Sequence, residues 1–296
     1  MPGPTVPGQA CGQPAGARLP VPLTADGQAG LAALIARPRW SLIAVDFDGT
    51  LAPIVEDPAA ARATPAATAA LARLAGLAGT VAIITGRPAA DAASFAGVAE
   101  VREVIVLGHY GRQRWERGQL SSPEPPPGLS EARAELAAVL AAAGAGDGTF
   151  VEDKGEALAV HTRRAAEPQA ELDRLRGPIA ELAARTGLAL EPGRLVLELR
   201  PPGSDKGAAI TELAAERAPS SILFCGDDLG DRPAFAAVRQ LRANGTPGLL
   251  VCSASAEVPD LAAEADLIVD GPDGVAALLA GLADAFADSA NARLSC

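Results

Sequence analysis

Lysine is nearly missing from this 296-residue chain: of 25 basic residues only Lys154 and Lys206 are lysines, and the rest are arginines. In a chain that has drifted this far toward arginine, a retained lysine either marks a place where a planar fork will not serve or has survived by chance. A compact ammonium and a guanidinium are not interchangeable in a tight anion site. Basic charge is short overall as well. Against 36 Asp and Glu residues the formal net charge is −11, which argues against a nucleic-acid binder, since that needs a basic face. An anionic small substrate is allowed only where local positive charge or a metal overrides the global field.

Cysteine is sparse and scattered. The four, at positions 11, 225, 252 and 296, form no C-x-x-C spacing, so neither a cysteine metal cluster nor a disulfide framework is expected. Cys225 and Cys252 fall in apolar, strand-like segments and read as small core residues. No run approaches the roughly 18 apolar residues of a membrane span. The Pro/Gly-rich residues 1–22 lack the apolar core of a leader and carry no positive charge before Arg18. Residues 1–23 therefore read as a flexible tail, and the expected location is the cytoplasm. What is present is ordinary for a globular protein, 49% hydrophobic and 21% charged, with length for one large or two ordinary domains.

The organisation follows from periodicity and punctuation. Residues 24–36 read as a helix capped by Thr24 or Asp26. The apolar run from Ser41 is a buried strand ending at Asp46. Thr64 before Pro65 is an N-cap followed by proline at the first helical position, opening helix 65–75. Strand 81–84, a short helix 88–95 and strand 104–107 complete an alternation that means βαβ units and a parallel sheet. After Arg112 the pattern changes. Residues 119–128 look like a Ser/Pro-rich linker, 129–143 an alanine-rich helix, and 149–153 with 157–162 a hairpin around Gly155. Helix 168–186 and short strands near 188–191 and 194–199 follow. From Lys206 the first pattern resumes: helix 207–217, strand 221–225, helix 232–239, strands 248–251 and 266–269, helix 272–286. The expected fold class is α/β, a doubly wound parallel core of residues 24–118 and 200–290 with residues 119–199 inserted as an α+β domain.

Four short segments carry the chemistry, all at strand ends or helix starts of the core. Asp46 and Asp48 leave a buried strand two residues apart, so their side chains can converge, and their repulsion then calls for a proton, a cation or a metal. Gly49 permits a sharp turn after them. Thr85 ends strand 81–84, where its hydroxyl and neighbouring amides suit a phosphate oxygen. Lys206 opens helix 207–217, where dipole and ammonium jointly attract an anion. Asp227, Asp228 and Asp231 crowd the end of strand 221–225, a donor set for a hard cation, with Asp231 also placed to cap helix 232–239. Taken singly, each segment also fits an acidic turn, a loop threonine or a solvated lysine. Their joint occurrence in this order is what discriminates.

D-F-D-G-T-L at 46–51, T-G-R at 85–87, a lysine opening a later helix and G-D-D-x-x-D at 226–231 resemble the four motifs of the haloacid dehalogenase (HAD) superfamily of aspartyl-phosphate phosphohydrolases. More narrowly, the chain is similar to the trehalose-phosphatase family. Further matches are Val151-Glu152-Asp153-Lys154, His161-Thr162-Arg163, and Leu197-Glu198-Leu199-Arg200-Pro201 leading to Lys206-Gly207. The likeness covers about residues 40–285. It implies a HAD-like core with residues 119–199 as a substrate-reading cap. It implies Mg²⁺ held by Asp46, Asp48 (through its carbonyl), Asp227 and Asp228. Asp46 would be the nucleophile, Asp48 the acid and base, and Thr85 and Lys206 the cradle of the phosphoryl oxygens. Arg87, Glu152, Lys154, His161, Arg163 and Glu198 would bind the substrate, a small-molecule sugar phosphate such as trehalose 6-phosphate, in a monomer with no nucleic-acid or membrane partner.

Two departures from the family pattern fall near the substrate. Gly230 replaces a hydroxyl residue, leaving Asp231 to support the site. Gly108-His109-Tyr110-Gly111 puts Tyr110 where many members have histidine. Two other readings stay open. One is the same chemistry on sucrose 6-phosphate or glucosylglycerol phosphate. The other is a catalytically silent sugar-phosphate-binding regulatory module, against which the intact Asp46, Asp48, Thr85, Lys206 and Asp227 speak.

Overall fold

In a computed structural model, which describes residues 19–125, 127–254 and 259–294, the uninterrupted apolar runs become strands with both faces covered. β1 (Ser41–Val45), β2 (Thr80–Ile84) and β3 (Val104–Gly108) are buried at every residue, the condition of a parallel strand between two helical layers. β4 (Gln113–Glu116) and β5 (Gln119–Ser121) then fold back antiparallel. β6 (Phe150–Asp153), β7 (Leu158–His161), β8 (Ala189–Gly193) and β9 (Val196–Arg200) pair among themselves. β10 (Ser221–Gly226), β11 (Gly248–Ala254) and β12 (Leu267–Asp270) return to the first sheet. Among the described residues these strands make two sheets, ordered β12-β11-β10-β1-β2-β3-β4-β5 and β6-β7-β9-β8.

The first sheet is parallel from β12 to β3. Strand order reverses at β1, with β2 on one side and β10 on the other, so a crevice opens there beyond the carboxyl ends. Asp46, Thr85 and Asp227 each directly follow the last residue of a strand bordering it. Alternation assigns the two faces. Ile43, Val45, Leu223, Cys225 and Val251 join one apolar cluster, and Leu42, Ala44, Phe224, Leu250 and Cys252 the other. Both described cysteines are free and buried.

The smaller sheet is antiparallel and keeps one apolar face. Leu158, Val160, Leu197 and Leu199 pack with Leu136, Leu175 and Ile179 of the helices Pro127–Ala142 and Pro168–Thr186. In register, Glu152, Ala159, Glu198 and Glu191 lie side by side across its four strands, alternating with those apolar residues.

The structure corrects several expectations. The segment read as a linker from residue 119 begins as a strand, since β5 pairs with β4 at the edge of the large sheet. Neither strand carries an apolar run, and β5 is exposed. Part of the expected tail is laid on the core: Leu19 packs there, and the Leu23 N–H donates to the Asp266 carbonyl at 2.6 Å. Residues 1–18 lie outside the described residues. Helix Gly271–Leu294 runs past the expected end, as does Arg232–Ala243. No described helix is long and apolar enough to cross a membrane.

Helix Ala25–Ala36 is capped by Thr24, whose Oγ1 accepts from Gly27 N–H at 3.0 Å. It presses close enough to β11 that a Cβ on Gly30 would overlap the Gly248 carbonyl. Gly30→Val should therefore cost about 1–3 kcal/mol in denaturant unfolding. Ala29→Val, on the exposed side of the same helix, should stay within about 0.5 kcal/mol.

Candidate active site

The turn after β1 is built around a glycine that nothing can replace. Gly49 has φ +73°, and a Cβ there would overlap the Asp227 carboxylate. Its N–H donates to the Ala52 carbonyl at 2.8 Å, and its carbonyl accepts from Ser253 Oγ at 2.7 Å. The buried Asp46 continues the strand, its N–H donating to the Cys225 carbonyl at 2.8 Å. Asp205 caps helix Lys206–Arg217 through Ala208 N–H at 2.8 Å, which fixes Lys206 at the first helical position. The Lys206 ammonium lies 2.7 Å from Asp46 Oδ1 and 2.7 Å from Asp231 Oδ1, with all three side chains nearly inaccessible.

Asp231 does not cap the helix Arg232–Ala243, contrary to the sequence reading. Its Oδ2 turns back to accept from Asp227 N–H at 2.9 Å and Asp228 N–H at 3.2 Å. Asp228 is the exposed one: it caps the single turn Leu229–Asp231 by accepting from Gly230 N–H at 2.8 Å. Asp46, Asp227 and Asp231 thus bring carboxylate oxygens within 4.8 Å of one another.

One ammonium faces this buried group, so negative charge is in excess. Burial pushes the Asp46 carboxyl well above its ordinary value; Lys206 opposes the shift and Asp231, Asp227 and Asp228 add to it. Asp227 is raised to about 8, by burial and then by Asp231 and Asp228. Burial also penalises the Lys206 ammonium, yet Asp231 and Asp46 outweigh it and hold its pKa well above the usual lysine value. A cluster of hard oxygens short of positive charge is what a divalent cation such as Mg²⁺ relieves.

Asp48 does not join that cluster. The strand ends at Val45, and the left-handed turn at Gly49 follows at once, so a two-residue period no longer governs. The side chain instead accepts from Arg87 Nε at 2.7 Å and Nη2 at 2.6 Å. Arg87 also donates to the Pro58 carbonyl at 2.8 Å, with its guanidinium near the Phe47 and Phe95 rings. Thr85 is buried, its hydroxyl accepting from Arg87 N–H at 3.2 Å. Thr50 Oγ1 is buried with no partner.

The residues expected from the insert divide. Lys154 Nζ lies 3.4 Å from Glu198 Oε2, and the Tyr110 hydroxyl donates to that oxygen at 3.3 Å. His161 Nε2 lies 2.9 Å from Glu152 Oε2, with its ring stacked on Phe150 at 4.6 Å. Its hydrogen bond, more than any charge, holds Glu152 below the usual carboxylate range, and Arg87 is among the cations within electrostatic reach. Arg163 is exposed. Three participants escaped the sequence reading in these roles. Asp231 was read from the D-x-x-D spacing as a cation donor and a cap, but not as the partner of Lys206. Tyr110 stood out only as a departure. Arg200, with its guanidinium 4.2 Å from the Tyr110 ring centroid, stood only within the Leu197-to-Pro201 match and was given no role. A separate cavity of about 560 Å³, lined by Thr24, Arg239, Arg242 and Asp266, lies apart from these carboxylates. Its buried Asp266 is already engaged by Thr24 and Arg242.

A doubly wound sheet with this strand-end aspartate, helix-opening lysine and inserted α+β unit defines a HAD-like hydrolase. A solved HAD-like hydrolase from Bacteroides thetaiotaomicron has the same fold at TM-score 0.54 and 17% identity, over 81% of this chain and 98% of that one. The trehalose-phosphatase family profile matches residues 44–269, and the chain belongs to that family. A probable trehalose-phosphate phosphatase of Sinorhizobium fredii is 30% identical over 205 residues, 69% of this chain and 75% of that protein. The C-terminal domain of the C. albicans trehalose-6-phosphate phosphatase superposes at TM-score 0.70 and 22% identity, over 90% of this chain and 99% of that one. Two uncharacterised glycosyl hydrolases of Mycobacterium tuberculosis are 38% identical over 120 residues, and the chain matches only 9% of their length.

The Asp227 shift has a measurable sign. Between about pH 4 and about pH 8 the folded protein keeps a proton on Asp227 that the unfolded chain has released. That contribution to stability is complete below the lower value and is lost as pH rises through the upper one. In EDTA the melting temperature should therefore fall as pH rises across this window, and Asp227→Asn should flatten the fall.

Proposed function

We propose that the protein is a Mg²⁺-dependent phosphatase that hydrolyses trehalose 6-phosphate to trehalose and phosphate through an aspartyl-phosphate on Asp46. The observation that carries this reading is the Lys206 ammonium 2.7 Å from both Asp46 and Asp231, at the switch point of a trehalose-phosphatase chain. The relatives' names support the substrate.

The donor set fits the ion, because three buried carboxylates meet one ammonium that pairs with only two of them. Asp46, Asp227 and Asp231 would hold it, with the Asp48 carbonyl and Asp228 at its margin. When bound, the cation neutralises charge so that an anionic carboxylate can approach a phosphate dianion. Asp46 attacks phosphorus in line with the departing sugar oxygen, splitting one hard step into two. Lys206 and the Thr85 hydroxyl hold equatorial oxygens, where charge spreads in the transition state. Asp48 gives a proton to the sugar oxygen, then takes one from the water that cleaves the aspartyl-phosphate. Both Asp48 oxygens are bound by Arg87, so the acid and base is freed when the substrate phosphate draws Arg87 away. The inserted unit that carries β6–β9 acts as the cap that excludes water. Glu152, Lys154, His161, Arg163 and Glu198 read the sugar hydroxyls. In this reading the enzyme works as a cytoplasmic monomer on a diffusing substrate.

Phosphate release decides the matter. Trehalose 6-phosphate should be the preferred substrate over sucrose 6-phosphate and glucosylglycerol phosphate by about tenfold or more in kcat/KM, and EDTA should abolish turnover. Faster release from another sugar phosphate would replace the substrate. Release from none would leave the silent regulatory module. Asp46→Asn should lower kcat by about a thousandfold or more while the fold persists.

A further inference from the structure

Tyr110 has no part in the chemistry above, yet its side chain leaves the core and reaches the insert. Its backbone is left-handed, at φ 57° and ψ 37°, which a bulky residue keeps only where its surroundings over-determine it. Those surroundings are the loop that carries Thr85. Tyr110 N–H donates to the Thr85 carbonyl at 2.9 Å, and His109 N–H to the Arg87 carbonyl at 2.9 Å. Gly86 makes room for the phenol, since a Cβ there would lie 2.7 Å from Oη. Arg200, stacked on the ring, is itself paired with Glu191 at 3.2 Å.

All of this aims one hydroxyl at Glu198 Oε2, the oxygen that Lys154 also approaches. The other oxygen, Oε1, is buried without a partner in a residue only 7% exposed. A carboxylate oxygen stripped of water and given no donor is expensive. Lys206 and Asp228 are within electrostatic reach of Tyr110, as Glu198 is.

We propose that Tyr110 is a positioning residue for specificity: its hydroxyl, with Lys154, pins Glu198 Oε2 so that Oε1 accepts a hydroxyl of the leaving group. The role rests on the sugar-phosphate reading given above. Two donors on one oxygen fix the carboxylate plane and leave a single acceptor facing the substrate. Burial holds the phenol well above its ordinary pKa, so it remains a donor throughout the working range.

The test is a double-mutant cycle of Tyr110→Phe and Glu198→Gln, assayed on trehalose 6-phosphate and on p-nitrophenyl phosphate, whose leaving group has no hydroxyls to read. Phenylalanine keeps the ring and its stacking on Arg200. Tyr110→Phe should raise KM for trehalose 6-phosphate about 10- to 100-fold, with kcat and p-nitrophenyl phosphate turnover within about threefold. In the Glu198→Gln background it should add less than about twofold. Equal losses on both substrates, or additive losses in the cycle, overturn the role. A wild type active on p-nitrophenyl phosphate but on no sugar phosphate overturns both this role and the functional reading. If a different sugar phosphate is preferred, only the substrate falls, and the same cycle on that compound decides Tyr110.

Discussion

The arrangement around Lys206 is the constraint on which the rest of the structure depends. A buried ammonium is tolerable only with carboxylates at bonding distance, and Asp46 and Asp231 supply them from two neighbouring strand ends. Everything nearby serves that contact: the Asp205 cap sets the lysine's place, Gly49 lets the turn pass Asp227, and Asp231 is anchored by two backbone amides. A compact ammonium suits this point contact between two carboxylate oxygens, and a planar guanidinium is not interchangeable with it. The chain's other lysine, less buried, lies 3.4 Å from the single carboxylate of Glu198. Scarcity in the composition thus coincides with charge pairing in the fold.

How much of this was legible follows from the physics of each element. The parallel strands announced themselves because burial on both faces demands unbroken apolar runs such as Leu42–Ile43–Ala44–Val45. The edge strands β4 and β5 did not, since half-exposed and exposed residues carry no such signature. Asp46, Thr85 and Lys206 were readable from position at strand ends and a helix start. Asp48 and Asp231 were readable as participants but not in their contacts, because the turn after Val45 and the short helical turn Leu229–Asp231 redirect both side chains. Arg87 was expected on the substrate and lies on Asp48, a pairing between segments that no local pattern encodes.

The smaller sheet answers the core in chemical kind. Its apolar face is consumed by two helices, which leaves the row Glu152, Ala159, Glu198 and Glu191 for the opposite face. Facing carboxylates in adjacent strands repel, and here each is answered: His161 at Glu152, Lys154 and Tyr110 at Glu198, Arg200 at Glu191. Ala159, between two of these acids, is fully buried.

The pairing of β1 with β10 has a kinetic corollary. These neighbours are about 180 residues apart in sequence, with the entire smaller sheet between them, and closing so long a loop is slow. During synthesis the segment bearing Asp46 emerges early and waits for its partner strand, while the intervening unit can complete its own local contacts. The contact of Asp46 with Lys206 therefore waits on a long-range closure of the chain.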